Sequence, residues 1–120
     1  MRTRVLTVDD DREATSRLQG LLEARGFSVE VENDSTKVLA TARKFRPDVV
    51  ILDYLMPKAH GGDVAWQLAS DPILRKARMI MCSGLPTEEF SIKLPPVHIA
   101  IVEKPVDTEA LVQLIDSEES

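Results

Sequence analysis

Four apolar runs constrain this chain more than anything else in it: Val5-Leu6-Thr7-Val8, Val49-Val50-Ile51-Leu52, Met79-Ile80-Met81-Cys82 and Ile99-Ala100-Ile101-Val102. Each is short and nearly unbroken, and the segments between them are long enough to hold a helix. Continuous runs of this length suit parallel strands covered on both faces, whereas a strand with one wet face alternates. A fifth segment does alternate, with Phe27, Val29 and Val31 on one side and Ser28, Glu30 and Glu32 on the other. It is expected at an edge of the sheet. Strands alternating with helices define an open α/β sheet with helices on both faces, and such sheets bind ligands beyond the carboxyl ends of their strands.

Those carboxyl ends carry the chemistry. The runs lead into Val8-Asp9-Asp10-Asp11, Leu52-Asp53-Tyr54-Leu55-Met56-Pro57, Met81-Cys82-Ser83-Gly84 and Glu103-Lys104-Pro105. If the first and third strands are neighbours, Asp9, Asp10 and Asp53 share one small volume. Like charges that close are kept when a cation compensates them or when one of them is meant to react. Hard carboxylate oxygens suit Mg²⁺ better than Zn²⁺, which takes His and Cys. With a cation bound, Asp53 can act as a nucleophile toward phosphorus and form an aspartyl phosphate. Lys104 and Ser83 can then supply a positive charge and a hydroxyl donor to the transferred group. His60 and His98 lack metal-ligand spacing and read as loop histidines. Cys82 reads as a small core residue.

A chain of 120 residues, 43% of them hydrophobic, is expected to form one domain over 1–120. The net charge of −5, from 20 acidic and 15 basic residues with no basic run, argues against a nucleic-acid surface inside it. No apolar stretch approaches the length of a signal-peptide core or a membrane span, so a cytoplasmic protein without membrane contact is expected.

The helices can be placed coarsely. One runs from about Arg12 to Arg25, capped by Asp11, with Ala14, Leu18, Leu21 and Leu22 as its apolar stripe and Gly26 as its stop. A second runs from Ser35 to Phe45, capped by Asn33 or Asp34, with Pro47 past its end. Gly61-Gly62 supplies the turn before a third, Asp63 to Ser70, on which Trp66 points away from the inward Val64 and Leu68. The last spans Thr108 to Asp116, capped by Asp107, with Val106 packing on Leu111. Between Ser83 and Pro95-Pro96 only Thr87 to Leu94 is available, so the fourth helix is expected to be short.

In this order the motifs resemble those of receiver domains of two-component response regulators, and the resemblance covers essentially the whole chain. The family's acidic pair falls on Asp9 and Asp10, its phosphoacceptor on Asp53 with Met56-Pro57 and Gly61 following, its Ser or Thr on Ser83, and its Lys-Pro on Lys104-Pro105. The resemblance implies the flavodoxin-like strand order 2-1-3-4-5 and a cis Lys104-Pro105 bond. It implies phosphorylation of Asp53 by a histidine kinase or histidine phosphotransfer protein, with Mg²⁺ held by Asp10, Asp53 and the Leu55 backbone carbonyl and by Asp9 mainly through water. The domain would be a phosphoacceptor that catalyses its own phosphoryl transfer and dephosphorylation, not an enzyme with a separate substrate.

Three departures bear on readout and lifetime. Ile101 and Val102 stand where an aromatic reporter is usual, and Pro95-Pro96-Val97 replaces a Gly-Ala pair. Leu55 and Leu85, two places after Asp53 and Ser83, flank the path of the hydrolytic water in this family and cannot orient it by hydrogen bonding. Signalling by ordering of the segment from Gly84 to Val97, in place of rotation of a ring, is therefore expected.

Other classes fit less well. A haloacid-dehalogenase-like phosphatase needs a second aspartate at the position of Leu55. A flavin or cobalamin module needs a phosphate-cradling loop or a cobalt-ligating histidine, and the first loop here is acidic. A degenerate receiver acting as a phosphorylation-independent protein-binding module is opposed by the complete acidic pocket and favoured by the unusual signalling face.

Overall fold

A computed structural model describes residues 2–84 and 94–117. Five parallel strands, β1 (Arg4–Val8), β2 (Ser28–Glu32), β3 (Val49–Asp53), β4 (Arg78–Ser83) and β5 (Ile99–Glu103), form one sheet in the order β2-β1-β3-β4-β5. This is the flavodoxin-like order expected, with the alternating strand β2 at one edge. Around the sheet lie α1 (Arg12–Ala24), α2 (Val38–Phe45) preceded by a 3-10 turn at Ser35–Lys37, α3 (Gly61–Ser70) and α4 (Thr108–Ser117).

The period-2 geometry of the strands divides the interior into two layers. Leu6, Val8, Val50, Leu52, Met79 and Met81 pack with Val38 and Ala42 of α2 and Val64, Ala65 and Leu68 of α3. Val5, Val49, Ile51, Ile80 and Cys82 pack on the other face with Leu22 of α1 and Leu111, Val112 and Ile115 of α4. The inner strands are thus apolar on both faces because both faces are covered.

β5 departs from the expectation of a fully buried strand. It ends the sheet order, and Ile99, Ala100, Ile101 and Val102 are each half-buried. Ile99 and Ile101 touch one layer, Ala100 and Val102 the other. An outer strand with partial cover on both faces therefore carries the same continuous apolar signature as an inner one.

Helix ends follow side-chain chemistry. Asp11 caps α1 by accepting from the N–H groups of Glu13 (3.0 Å) and Ala14 (3.2 Å), and Gly26 leaves it at φ 95°, a conformation that costs glycine little. Leu22 is buried, but Leu21 of the expected stripe is exposed. Asp34, not Asn33, caps the 3-10 turn, accepting from Thr36 N–H at 3.0 Å. α2 begins only at Val38 and stops at Arg46 in the left-handed conformation, one residue before Pro47. α3 starts at Gly61, so Gly61-Gly62 form its first turn and not the turn before it. Asp107 accepts from Glu109 N–H at 3.0 Å at the start of α4, where Val106 packs on the layer containing Leu111.

Two long-range ion pairs tie the helices together. Arg25 engages both carboxylate oxygens of Glu109, linking α1 to α4, and Arg43 reaches Asp71 beyond α3 at 2.6 Å. The short fourth helix expected over Thr87 to Leu94 lies outside the described residues, as does Leu85. Of that stretch only Leu94 is described, packed on the α2–α3 layer.

Candidate functional site

The sheet order makes β1 and β4 the neighbours of β3, which brings the polar strand ends together. Asp53 is the last residue of β3, paired in register with Cys82, and only 7% exposed. Asp9 and Asp10 follow β1 directly. Each of Asp9, Asp10 and Asp53 offers a carboxylate oxygen, and these oxygens all lie within 4.8 Å of one another. Lys104 follows β5, and its Nζ lies 2.7 Å from Asp53 Oδ1 and 3.8 Å from Asp9 Oδ2. The Lys104-Pro105 bond is cis. Ser83 is buried at the end of β4, and its carbonyl accepts from Lys104 N–H at 2.9 Å.

The electrostatics follow from this crowding. Burial pushes the Asp9 carboxyl up to about 6 despite a hydrogen bond from Asp11 N–H, and the Asp53 charge adds to the rise. For Lys104, burial works against the charge. The Asp53 hydrogen bond and the charges of Asp53 and Asp9 outweigh it and hold the ammonium above its ordinary pKa. Cys82 is buried beside them, and burial pushes its thiol up to about 12, which keeps it protonated. It is a core residue of the site wall, as its sequence context suggests.

The donor set fits a hard divalent cation. Three carboxylates converge with no imidazole or reactive thiolate among them, the pattern that suits hard cations such as Mg²⁺. His60 is elsewhere engaged, its ring stacked on Tyr54 with centroids 6.2 Å apart. His98 precedes β5 and is exposed.

Three supports of the site rest on contacts that no local sequence signal shows. Asn33 Nδ2 donates to the Asp9 carbonyl at 2.8 Å and to Thr15 Oγ1 at 2.9 Å, fixing the acidic loop from across the β2 end. Ser35 holds the loop after Asp53 through Pro57 and Ala59. Gly61 packs so closely that a Cβ there would lie 2.6 Å from the Asp53 carbonyl oxygen. A glycine pair can be seen in the sequence, but not what it touches.

Beside Asp53 a cleft of about 270 Å³ runs between α1 and the loop after β5, lined by Ala14, Leu18, Leu21, Lys104, Pro105 and Val106 among others. Trp66 lies well away from it in the chain, 47% exposed on α3 as its helical position suggests. Among the described residues, no helix is long and apolar enough to cross a membrane.

An open parallel sheet with an acidic pocket and a lysine at its carboxyl edge defines the phosphoacceptor signalling class of α/β domains. The chain belongs to the response regulator receiver domain family, whose model matches residues 5–116. Among curated proteins it is 34% identical over 101 residues to the DNA-binding response regulator MtrA of Mycolicibacterium paratuberculosis, covering 84% of this chain and 40% of that protein. It is 42% identical over 67 residues to the response regulator MprA of Mycobacterium leprae, covering 56% of this chain and 29% of that protein. The chain therefore spans well under half the length of these relatives. In fold it resembles the chemotaxis response regulator CheY4 of Vibrio cholerae, with a TM-score of 0.87, 24% identity and 98% of both chains covered.

Proposed function

We propose that residues 1–120 act as one receiver unit in which Asp53 accepts a phosphoryl group from a phosphohistidine of a histidine kinase or histidine phosphotransfer protein. The observation that carries this reading is the convergence of Asp53 with Asp9, Asp10 and Lys104 in a domain of this family. An Asp53 carboxylate oxygen attacks phosphorus in line. The new O–P bond forms as the N–P bond to imidazole breaks, and the departing imidazole nitrogen is protonated from solvent.

The chain's own groups prepare that transfer. The strand end buries Asp53 and limits its rotamers, which supports the positioning that phosphoryl transfer depends on. Lys104 is placed to move from the carboxylate to an oxygen of the bound phosphoryl group, and Ser83 to donate its hydroxyl to another. Mg²⁺, held by Asp10, Asp53, the Leu55 carbonyl and, mainly through water, Asp9, would neutralise the charge gathered on carboxylates and phosphoryl oxygens. The apolar cleft along α1 gives a protein donor a surface to rest on within reach of Asp53.

In this reading the domain is itself the substrate and no enzyme in the usual sense, although its residues promote both gain and loss of the phosphoryl group. It works in the cytoplasm by switching its contacts with a downstream protein, and its net charge of −5 supports a domain that does not itself hold nucleic acid. A second reading, a phosphorylation-independent protein-binding module, is favoured by Ile101 and Val102, half-buried where an aromatic reporter is usual.

Intact-mass measurement after incubation with Mg²⁺ and a small phosphodonor separates the two. One added phosphoryl group, absent in Asp53→Asn and in EDTA, is expected. An unmodified parent would favour the second reading, and a modification that persists in Asp53→Asn would refute Asp53 as the acceptor.

A further inference from the structure

Leu55 lies in a run that is pinned on either side. Tyr54 N–H donates to the Cys82 carbonyl at 2.9 Å, and the Tyr54 carbonyl accepts from Gly61 N–H at 2.8 Å. Met56 is buried in the α2–α3 layer. The chain then turns through Pro57, Lys58 and Ala59, with Lys58 at φ 71°. That region is sparsely populated by residues other than glycine, and surrounding contacts must hold a lysine there.

Ser35 supplies those contacts. Its hydroxyl donates to the Pro57 carbonyl at 2.9 Å and accepts from Ala59 N–H at 3.2 Å, so a single side chain brackets the left-handed residue. Ser35 is 5% exposed, which favours retention of both bonds over exchange with water. Asp34 strengthens the clamp from the next position. Its carboxylate caps the 3-10 turn that carries Ser35 and lies 3.7 Å from Lys58 Nζ.

We propose that Ser35 is a positioning residue for metal binding, acting through the 57–59 turn on the carbonyl of Leu55. This rests on the reading above that Leu55 supplies a backbone oxygen to Mg²⁺. A proline's φ is fixed, so once the Pro57 carbonyl is held, the peptides of Met56 and Leu55 have few remaining ways to turn. Anchored by the backbone bonds of Tyr54 on one side and by Met56 and the Ser35-held Pro57 on the other, the Leu55 carbonyl keeps one direction whether or not the cation is present. Without the hydroxyl, Ala59 N–H keeps its 2.8 Å bond to the Pro57 carbonyl, but the link to the β2–α2 loop is gone. Groups that orient a metal ligand are worth about 10–100-fold in metal affinity, and a single carbonyl among several donors belongs at the low end.

Calorimetric titration with MgCl₂ of the parent, Ser35→Ala, Ser35→Thr and Asp10→Asn tests this, with thermal melts of the metal-free proteins alongside. Ser35→Ala is expected to fold cooperatively and bind Mg²⁺ about 10-fold more weakly. Ser35→Thr, which keeps the hydroxyl, should bind close to the parent. Parent-like affinity in Ser35→Ala, or a Ser35→Thr protein no better than Ser35→Ala, would overturn the role of Ser35. Asp10→Asn separates the two levels of the inference. If it loses Mg²⁺ binding while Ser35→Ala keeps it, only the positioning role falls; if parent and Asp10→Asn bind alike, the metal reading itself falls and the role of Ser35 with it.

Discussion

Lys104 Nζ lies 2.7 Å from Asp53 Oδ1 and 3.8 Å from Asp9 Oδ2, so one ammonium is shared by two carboxylates that the proposed Mg²⁺ would also have to satisfy. Lysine and cation therefore act on the same negative charge, and removing one should be felt by the other.

Replacing Lys104 by Met leaves the buried Asp53 carboxylate without its partner. The metal-free variant should be less stable by about 1–2 kcal/mol, the range for a charge-assisted bond discounted for the partial exposure of the lysine. Mg²⁺ should bind more tightly to the variant and recover a larger share of its stability. Denaturant melts with and without Mg²⁺ measure both effects. Equal metal responses in parent and variant would show that the two cations are independent.

Asp9 gives a pH-dependent signature. Its carboxyl stands at about 6 in the folded, metal-free protein against an ordinary value of 3.8. Between these values the folded state holds more protons than the unfolded one, so this group makes stability fall as pH rises and level off above about 6. Asp9→Asn removes that loss. Its melting temperature in EDTA should match the parent near pH 4, exceed it by a margin that grows to just above pH 6, and keep that margin to about pH 7.5. A margin that stays constant across this range would mean that Asp9 is not the group responsible.

Gly61→Ala places a methyl group 2.6 Å from the Asp53 carbonyl oxygen, 2.8 Å from Tyr54 Cα and 2.9 Å from Met81 Sδ. Two of the three neighbours are backbone and cannot swing aside. Overpacking of this kind costs about 1–3 kcal/mol, and here it pushes on the residue proposed to react. Urea melts should show the loss of stability, and phosphorylation from a small donor should slow. A variant as stable as the parent would place the start of α3 further from β3 than the structure has it.

Leu55 is 52% exposed, so Leu55→Asn should change stability by no more than about 0.5 kcal/mol. Its effect should fall on the lifetime of the phosphorylated domain. A side chain that can orient the attacking water adds one hydrogen bond in the transition state, and about 1 kcal/mol of such stabilisation is worth about five-fold in rate. Loss of the added phosphoryl mass over time, in parent and variant, gives the comparison. Unchanged decay would remove Leu55 from the path of the water.

The inner strands and the residues of the site could be read from the sequence because their signals are local. Val49 to Leu52 is apolar at every position because both faces of β3 are covered, and Asp53, Ser83 and Lys104 each sit at the end of such a run. The caps at Asp11 and Asp107 are legible for the same reason, since a side chain meets backbone two or three residues away. Tertiary structure decided what depends on distant partners. β5 is an outer strand because of the sheet order, which its own apolar run does not encode. Ser35 and Asn33 look like ordinary turn residues until the fold sets them against Pro57 and Asp9, 22 and 24 positions away. Leu21 belongs to the helical stripe by spacing yet stays exposed, because the burial of a helical position is set by where its neighbours end. Periodicity and strand-end chemistry are properties of neighbouring residues; loop clamps, close approaches and edges arise from pairs of segments, and only folding brings those pairs together.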